Sequence, residues 1–155
     1  MNYNNLYKLV STRQATIGVI GLGYVGLPLA LEFSKKYLCI GFDISKSRVE
    51  ELNKNYDRNN EYDNITLENS KVLITNNSDE MIDSDYFIIT VPTPLKKNNK
   101  PDLSPLKSAS KIVSKHISKG SIVIYESTVY PGCTEEDCIP VLEKYSNLEF
   151  NKDFF

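Results

Sequence analysis

The chain has one histidine, three cysteines, no long apolar run and no excess of charge of either sign. Each scarcity closes a class of function. No stretch approaches the roughly 20 apolar residues that a membrane-spanning helix needs, so no membrane partner is expected. Residues 1–14 are polar and rich in asparagine, without the apolar segment of a signal peptide, which leaves the cytoplasm as the default location. Eighteen basic against twenty acidic side chains, a net charge of -2, give no electrostatic reason to expect nucleic acid or an anionic bilayer. Cys39, Cys133 and Cys138 are too few for a disulfide framework and have no metal-ligand spacing, so they fit a reducing compartment and no metal is expected. Cys39 falls in an apolar run and reads as a small core filler. His116 lies in a polar, helical context and reads as a solvated surface residue rather than a catalytic base.

What is present is concentrated near the start. The run Ile17-Gly18-Val19-Ile20 enters a G-x-G-x-x-G turn at Gly21, Gly23 and Gly26, and Asp43 follows at the end of a second apolar run. Leu27 to Lys36 between them has helical character. In this arrangement the first glycine permits the tight strand-to-helix turn. The second lets backbone approach a pyrophosphate, and the third lets helix and strand pack closely. The pyrophosphate sits on the positive, unpaired N–H end of the helix. Asp43 then accepts hydrogen bonds from the adenosine ribose and repels the extra phosphate of NADP. A glycine turn alone is weak evidence and also occurs where nothing binds; after a strand, before a helix and with Asp43 in place it is specific.

The remaining pattern predicts an α/β fold, a single-domain Rossmann-type doubly wound parallel sheet over 15–155, preceded by an N-terminal extension of residues 1–14. Leu38–Phe42, Lys71–Thr75, Tyr86–Val91 and Ser121–Tyr125 are continuous apolar runs, as in strands covered on both faces. Helical spacing recurs at Val49/Leu52, at Leu106/Ala109/Ile112/Val113 and at Ile139/Val141/Leu142/Tyr145. Ser45 and Ser104 are expected N-caps, and Gly120 is placed to end a helix. Asn53–Ser70, crowded with Asn, Asp and Glu, reads as a variable surface loop, and Lys96–Asp102 as a second polar loop. Ligands of such sheets bind beyond the carboxyl ends of the strands. Val91-Pro92-Thr93-Pro94 and Glu126-Ser127-Thr128-Val129-Tyr130-Pro131-Gly132-Cys133 occupy those positions together with the glycine turn.

Four blocks in this order resemble the N-terminal domain of the UDP-glucose/GDP-mannose dehydrogenase family, chiefly its UDP-N-acetylhexosamine 6-dehydrogenase branch. They are Ile20 to Ala30, Gly41-Phe42-Asp43, Val91 to Pro94 and Tyr125 to Thr134. The resemblance implies an NAD site in which Gly21, Leu22, Gly23, Tyr24, Val25 and Gly26 hold the pyrophosphate. It places Asp43 and Arg48 at the adenosine ribose, and Thr93 and Thr128 at the nicotinamide, with Thr128 also joining the water and proton network of the reaction. In NADP enzymes a basic residue at the position of Arg48 can serve a 2′-phosphate, so Arg48 alone leaves the cofactor open; Asp43 favours NAD. The family oxidises the C6 alcohol of a nucleotide sugar to a carboxylate, a step of polysaccharide precursor synthesis. The UDP-sugar is a partner of the full-length enzyme, and a homo-oligomer stays open. The lysine, cysteine and glutamate that the family uses for chemistry match no position here, and Cys133 and Cys138 have no sequence context of an activated thiolate.

Other readings remain. One is a free-standing NAD-binding module acting with a separate partner chain. Short-chain dehydrogenases pair a tyrosine with a lysine four positions later, and none of the ten tyrosines has one. A methyltransferase would share the acidic residue after the second strand but place its third glycine one position earlier.

Overall fold

The computed structural model describes residues 8–155. Of the N-terminal extension, 1–7 lie outside the described residues. The rest begins with a helical turn at 8–11, from which Val10 reaches a hollow shared with Ile17, Phe33 and Tyr37.

Five parallel strands form one sheet: β1 (Thr16–Ile20), β2 (Leu38–Phe42), β3 (Leu73–Thr75), β4 (Tyr86–Ile89) and β5 (Ile122–Tyr125), in the order β3-β2-β1-β4-β5. Neighbours pair in unbroken register, Ile17 with Cys39 and Tyr86, and Tyr86 in turn with Ile122. The carbonyl ends therefore finish level. The strand order reverses between β1 and β4, which is where such sheets open a crevice. Phe155 pairs along the outer edge of β5, donating to Ser121 O and accepting from Val123 N.

Side chains alternate across the sheet. Ile20, Ile40, Phe42, Phe87 and Ile89 face a core built with helix α4 (Ser104–Val113) and helix α5 (Ile139–Ser146). Ile17, Val19, Cys39 and Ile88 face the other, built with helices α1 (Gly26–Ser34), α2 (Lys46–Leu52) and α3 (Asn64–Glu68). Both faces being covered explains why the strands read as apolar runs rather than alternating ones. Before α5 the chain makes a π-helical turn at Thr134–Cys138. Pro140, which lacks an N–H, follows in the first turn of α5 and cannot join a regular helical ladder there.

Four expectations are corrected. Asn53–Ser70 is not wholly loop: Asp63 caps α3 by accepting from Thr66 N, and Leu67 is buried in the second core. Ser104 is not a cap but the first residue of α4, held by Asp102, which accepts from both its N–H and its hydroxyl. Gly120 (φ 94°) does not end α4, which stops at Val113; it lies in the turn that enters β5. His116 is buried, 6% exposed, because with Val113 and Ile117 it continues the inward face past the end of α4. Burial lowers its pKa, so the ring is held neutral, with Nε2 3.9 Å from Asp79 Oδ1. Ser45 does cap α2, accepting from Arg48 N.

The residue that organises 53–70 is Asp57. Its side chain is fully buried and lies 2.7 Å from Arg48 Nη1 while accepting from the N–H groups of Asn59, Glu61 and Tyr62. Burial alone raises its carboxyl pKa, but Arg48 and the N–H groups outweigh that and hold it below the usual carboxylate range. A depressed carboxyl stabilises the fold above its unfolded value of about 3.9, and the contribution is lost as pH falls further. Asp57→Asn should therefore cost about 3–5 kcal/mol at neutral pH by leaving Arg48 uncompensated. It should also remove part of the acid limb below about pH 4. Urea unfolding across pH 3–7 reads both, and a cost under about 1 kcal/mol would make the pair dispensable.

Candidate functional site

At the carboxyl edge β1 leaves the sheet through Gly21, whose φ of 96° only glycine adopts without strain. Gly21 N–H donates to Phe42 O, and the Thr90 hydroxyl donates to Gly21 O at 2.7 Å. The chain then turns into α1 with no side chain capping its N-terminus. Leu27 N–H donates to Gly23 O and Leu29 N–H to Val25 O. The N–H groups of Gly23, Tyr24, Val25 and Gly26 have no partner among the described residues and stand at the sheet edge, at the positive end of the helix.

The three glycines have different physical reasons. A Cβ on Gly26 would overlap Gly21 O and the Thr90 hydroxyl, so the close packing of helix on strand requires its absence. A Cβ on Gly23 would meet nothing within 4 Å, and its φ is not in the left-handed region. Nothing among the described residues requires glycine there. The space above Gly23 is where a ligand would lie against backbone.

That space belongs to an open cleft of about 530 Å³, in the range of small-molecule sites. Leu22, Gly23, Tyr24, Val25, Asp43, Arg48, Thr93 and Thr128 all contribute to its lining. Gly21 instead lines an adjoining apolar slot of about 240 Å³ with Ile44, Val91, Pro92, Ala109 and Ile112, while Gly26 lies beneath the turn. Asp43, Val91 and Pro92 border both spaces.

Asp43 is half-buried at the end of β2. Its Oδ2 accepts from Leu22 N and its Oδ1 from Ser45 N, both at 2.8 Å. The carboxylate thus ties the glycine turn to the start of α2 and keeps lone pairs free for the cleft. Arg48 is placed differently from an open ribose contact. It is 5% exposed, and its Nε donates to Leu22 O at 2.9 Å while Nη1 pairs with Asp57. The guanidinium supports the turn from below, and Nη2 is buried without a hydrogen-bond partner among the described residues.

Across the cleft the loops after β4 and β5 are joined twice. The Thr93 hydroxyl donates to Thr128 O at 2.7 Å, and the Ser127 hydroxyl donates to Val91 O at 2.6 Å. Thr128 is exposed at the rim, and its hydroxyl has no partner among the described residues. Glu126, Arg58 and Asn59 also line the cleft, and sequence reasoning did not single them out. Arg58 and Asn59 get there through the Asp57 hub, which no periodicity signals. Thr90 was missed too: it directly follows Ile89, the β4 partner of Ile20, and its N–H and hydroxyl both bond Ile20 O. The cysteines are not at the site: all three are buried and free, and burial pushes the Cys39 and Cys138 thiols up to about 12. Among the described residues no group of His, Cys, Asp and Glu is arranged to hold a metal, and no helix is long and apolar enough to cross a membrane.

A profile described as the UDP-glucose/GDP-mannose dehydrogenase family, NAD binding domain, matches residues 15–155. Protein CapL of Staphylococcus aureus is 56% identical over 139 residues, covering 90% of this chain and 33% of its own length. The UDP-N-acetyl-D-glucosamine 6-dehydrogenase of Pseudomonas aeruginosa is 54% identical over 140 residues, with the same coverage. Among solved structures, the UDP-D-ManNAc dehydrogenase of Pyrococcus horikoshii superposes with a TM-score of 0.81 at 35% identity, over 90% of this chain and 34% of that one. The chain spans about a third of the length of the relatives it matches.

The glycines give a stability test. Gly26→Ala should cost at least about 1–3 kcal/mol by forcing helix from strand, lowering Tm by several degrees. Gly23→Ala should stay within about 0.5 kcal/mol of the parent. Thermal melts of both variants check this, and equal melting points would contradict the packing described.

Proposed function

The chain belongs to the UDP-glucose/GDP-mannose dehydrogenase family, as its NAD-binding domain, and from that premise we propose that it is the cofactor half of a nucleotide-sugar 6-dehydrogenase. The observation that carries the site assignment is the open space over Gly23 beside an uncapped helix end and a half-buried carboxylate. These features fit a dinucleotide. In this reading the adenine enters the apolar slot at Ile44 and Ala109, and the adenosine ribose hydroxyls bond Asp43. The pyrophosphate lies along Leu22 to Val25 against the α1 N–H groups, and Gly21 and Gly26 shape the turn. The nicotinamide end falls at Thr93 and Thr128. Arg48 acts at the ribose through the turn it braces.

Bound NAD supplies the hydride acceptor, and converting a primary alcohol to a carboxylate takes two such equivalents and one water. The chain's own residues supply position. Asp43 fixes one end of the dinucleotide, and the bonded pair Thr93–Thr128 fixes the wall at the other. The free Thr128 hydroxyl donates to and accepts from a water at the reaction centre without titrating near neutral pH.

The substrate class we propose is a UDP-N-acetylhexosamine or UDP-glucose, held by sequence outside the matched third, with the uronic acid serving polysaccharide synthesis. The name and 54% identity of the Pseudomonas aeruginosa relative support the hexosamine. A cytoplasmic site of action fits three cysteines kept free and buried.

Calorimetric titration tests the reading. The chain should bind NAD more tightly than NADP, and Asp43→Ala should weaken NAD and narrow the gap. Gly23→Ala, folded as the parent is, should lose at least ten-fold in NAD affinity, about 1.4 kcal/mol. Unchanged affinity in that variant, or tighter NADP binding by the parent, would move the dinucleotide off this turn.

A further inference from the structure

Each carboxylate around the cleft is engaged except one. Asp43 accepts two backbone N–H groups, Asp57 is paired with Arg48, and Glu51 beside the rim is paired with Arg58. Glu126 lines the same cleft, is exposed, and its carboxylate has no hydrogen bond or ion pair among the described residues. Its backbone is nonetheless anchored. Glu126 N–H donates to Ile89 O at 2.9 Å, and the next two residues carry the bonds to Val91 and Thr93. A free negative charge is thus held on a fixed segment at the end of β5.

The strand order puts that charge at a defined place. Asp43 ends β2, and β5 lies three strand spacings away across β1 and β4, roughly 14 Å. A dinucleotide with its adenosine ribose at Asp43 points its other nucleoside at Thr93, Thr128 and Glu126. That base is a cation when oxidised and neutral when reduced, while the rest of the molecule is unchanged.

We propose that Glu126 makes the site discriminate between the two redox states, favouring the oxidised dinucleotide by attraction to its cationic ring. This rests on the NAD reading above. The charge difference between the two forms lies on the ring alone, so the carboxylate's effect on adenosine and pyrophosphate cancels from the ratio of affinities. Two successive oxidations require reduced cofactor to leave before fresh oxidised cofactor enters. A carboxylate that favours the incoming form drives that exchange.

Dissociation constants of the 155-residue chain for oxidised NAD, NADH and ADP-ribose, measured at low salt, test the proposal. Glu126→Gln should lower the affinity for oxidised NAD relative to both NADH and ADP-ribose about three-fold, the usual strength of an exposed pair. Glu126→Lys, which replaces attraction by repulsion, should shift the ratio about ten-fold toward NADH. A ratio unmoved in both variants, or equal weakening of all three ligands, overturns the role of Glu126 while the cofactor site stands. A parent chain that binds neither NAD nor ADP-ribose overturns the NAD reading and this proposal together.

Discussion

The arrangement depends on how closely α1 approaches β1. At Gly26 there is no room for a single carbon between the helix and the carbonyl of Gly21. The Thr90 hydroxyl occupies the remaining space and bonds that carbonyl, so β4 is locked to the same point. One contact thereby sets the angle at which α1 leaves the sheet and the position of its uncapped N–H groups. It also fixes the crevice at the reversal of strand order. Had the helix stood off by a methyl group, the loop from Leu22 to Val25 would rise into the space the cleft now occupies.

Charge is arranged in two layers around this turn. Below it, Arg48 bonds Leu22 O and is neutralised by Asp57, so the cation braces the loop without presenting its charge to the cleft. Above it, Asp43 spends one lone pair of each oxygen on backbone N–H groups. A buried pair of this kind adds little net stability but is costly to break. Its effect is placement: Asp57 gathers three further N–H groups and sets the course of 57–62, which brings Arg58 and Asn59 to the rim. The loop that looked variable thus serves as one wall.

The parts legible in the sequence were those where one residue type satisfies one local rule. Apolar runs gave β2 at its observed ends, and the glycine spacing with Asp43 gave the strand-to-helix turn. Ser45, directly before the helical period of Val49 and Leu52, gave a cap. What was not legible depended on pairing between distant residues. His116 looked polar by type, and only the continuation of the Val113 face shows why it is buried. Asp57 resembled its acidic neighbours until Arg48, nine positions earlier, was seen to need a partner inside. Ser104 is drawn into the helix as its first residue, with Leu103 before it at the cap position, because the Asp102 carboxylate accepts from both its N–H and its hydroxyl. The shift is small in sequence and follows from side-chain reach, which composition does not encode.

The two ends of the cleft are held in different ways. The Asp43 end is fixed by bonds to backbone on both sides. At the other end the walls come from two loops, tied to each other by Thr93 to Thr128 and Ser127 to Val91 rather than to a helix. Such ties keep the loop backbones in register while leaving the side chains of Thr128 and Glu126 free at the rim. Covalent chemistry has no support from the cysteines described, since burial holds Cys39 and Cys138 as thiols far above neutral pH. Cys133 is equally enclosed. The division of labour follows from this: the sheet edge supplies position and charge at the cleft, and none of the three cysteines supplies a nucleophile there.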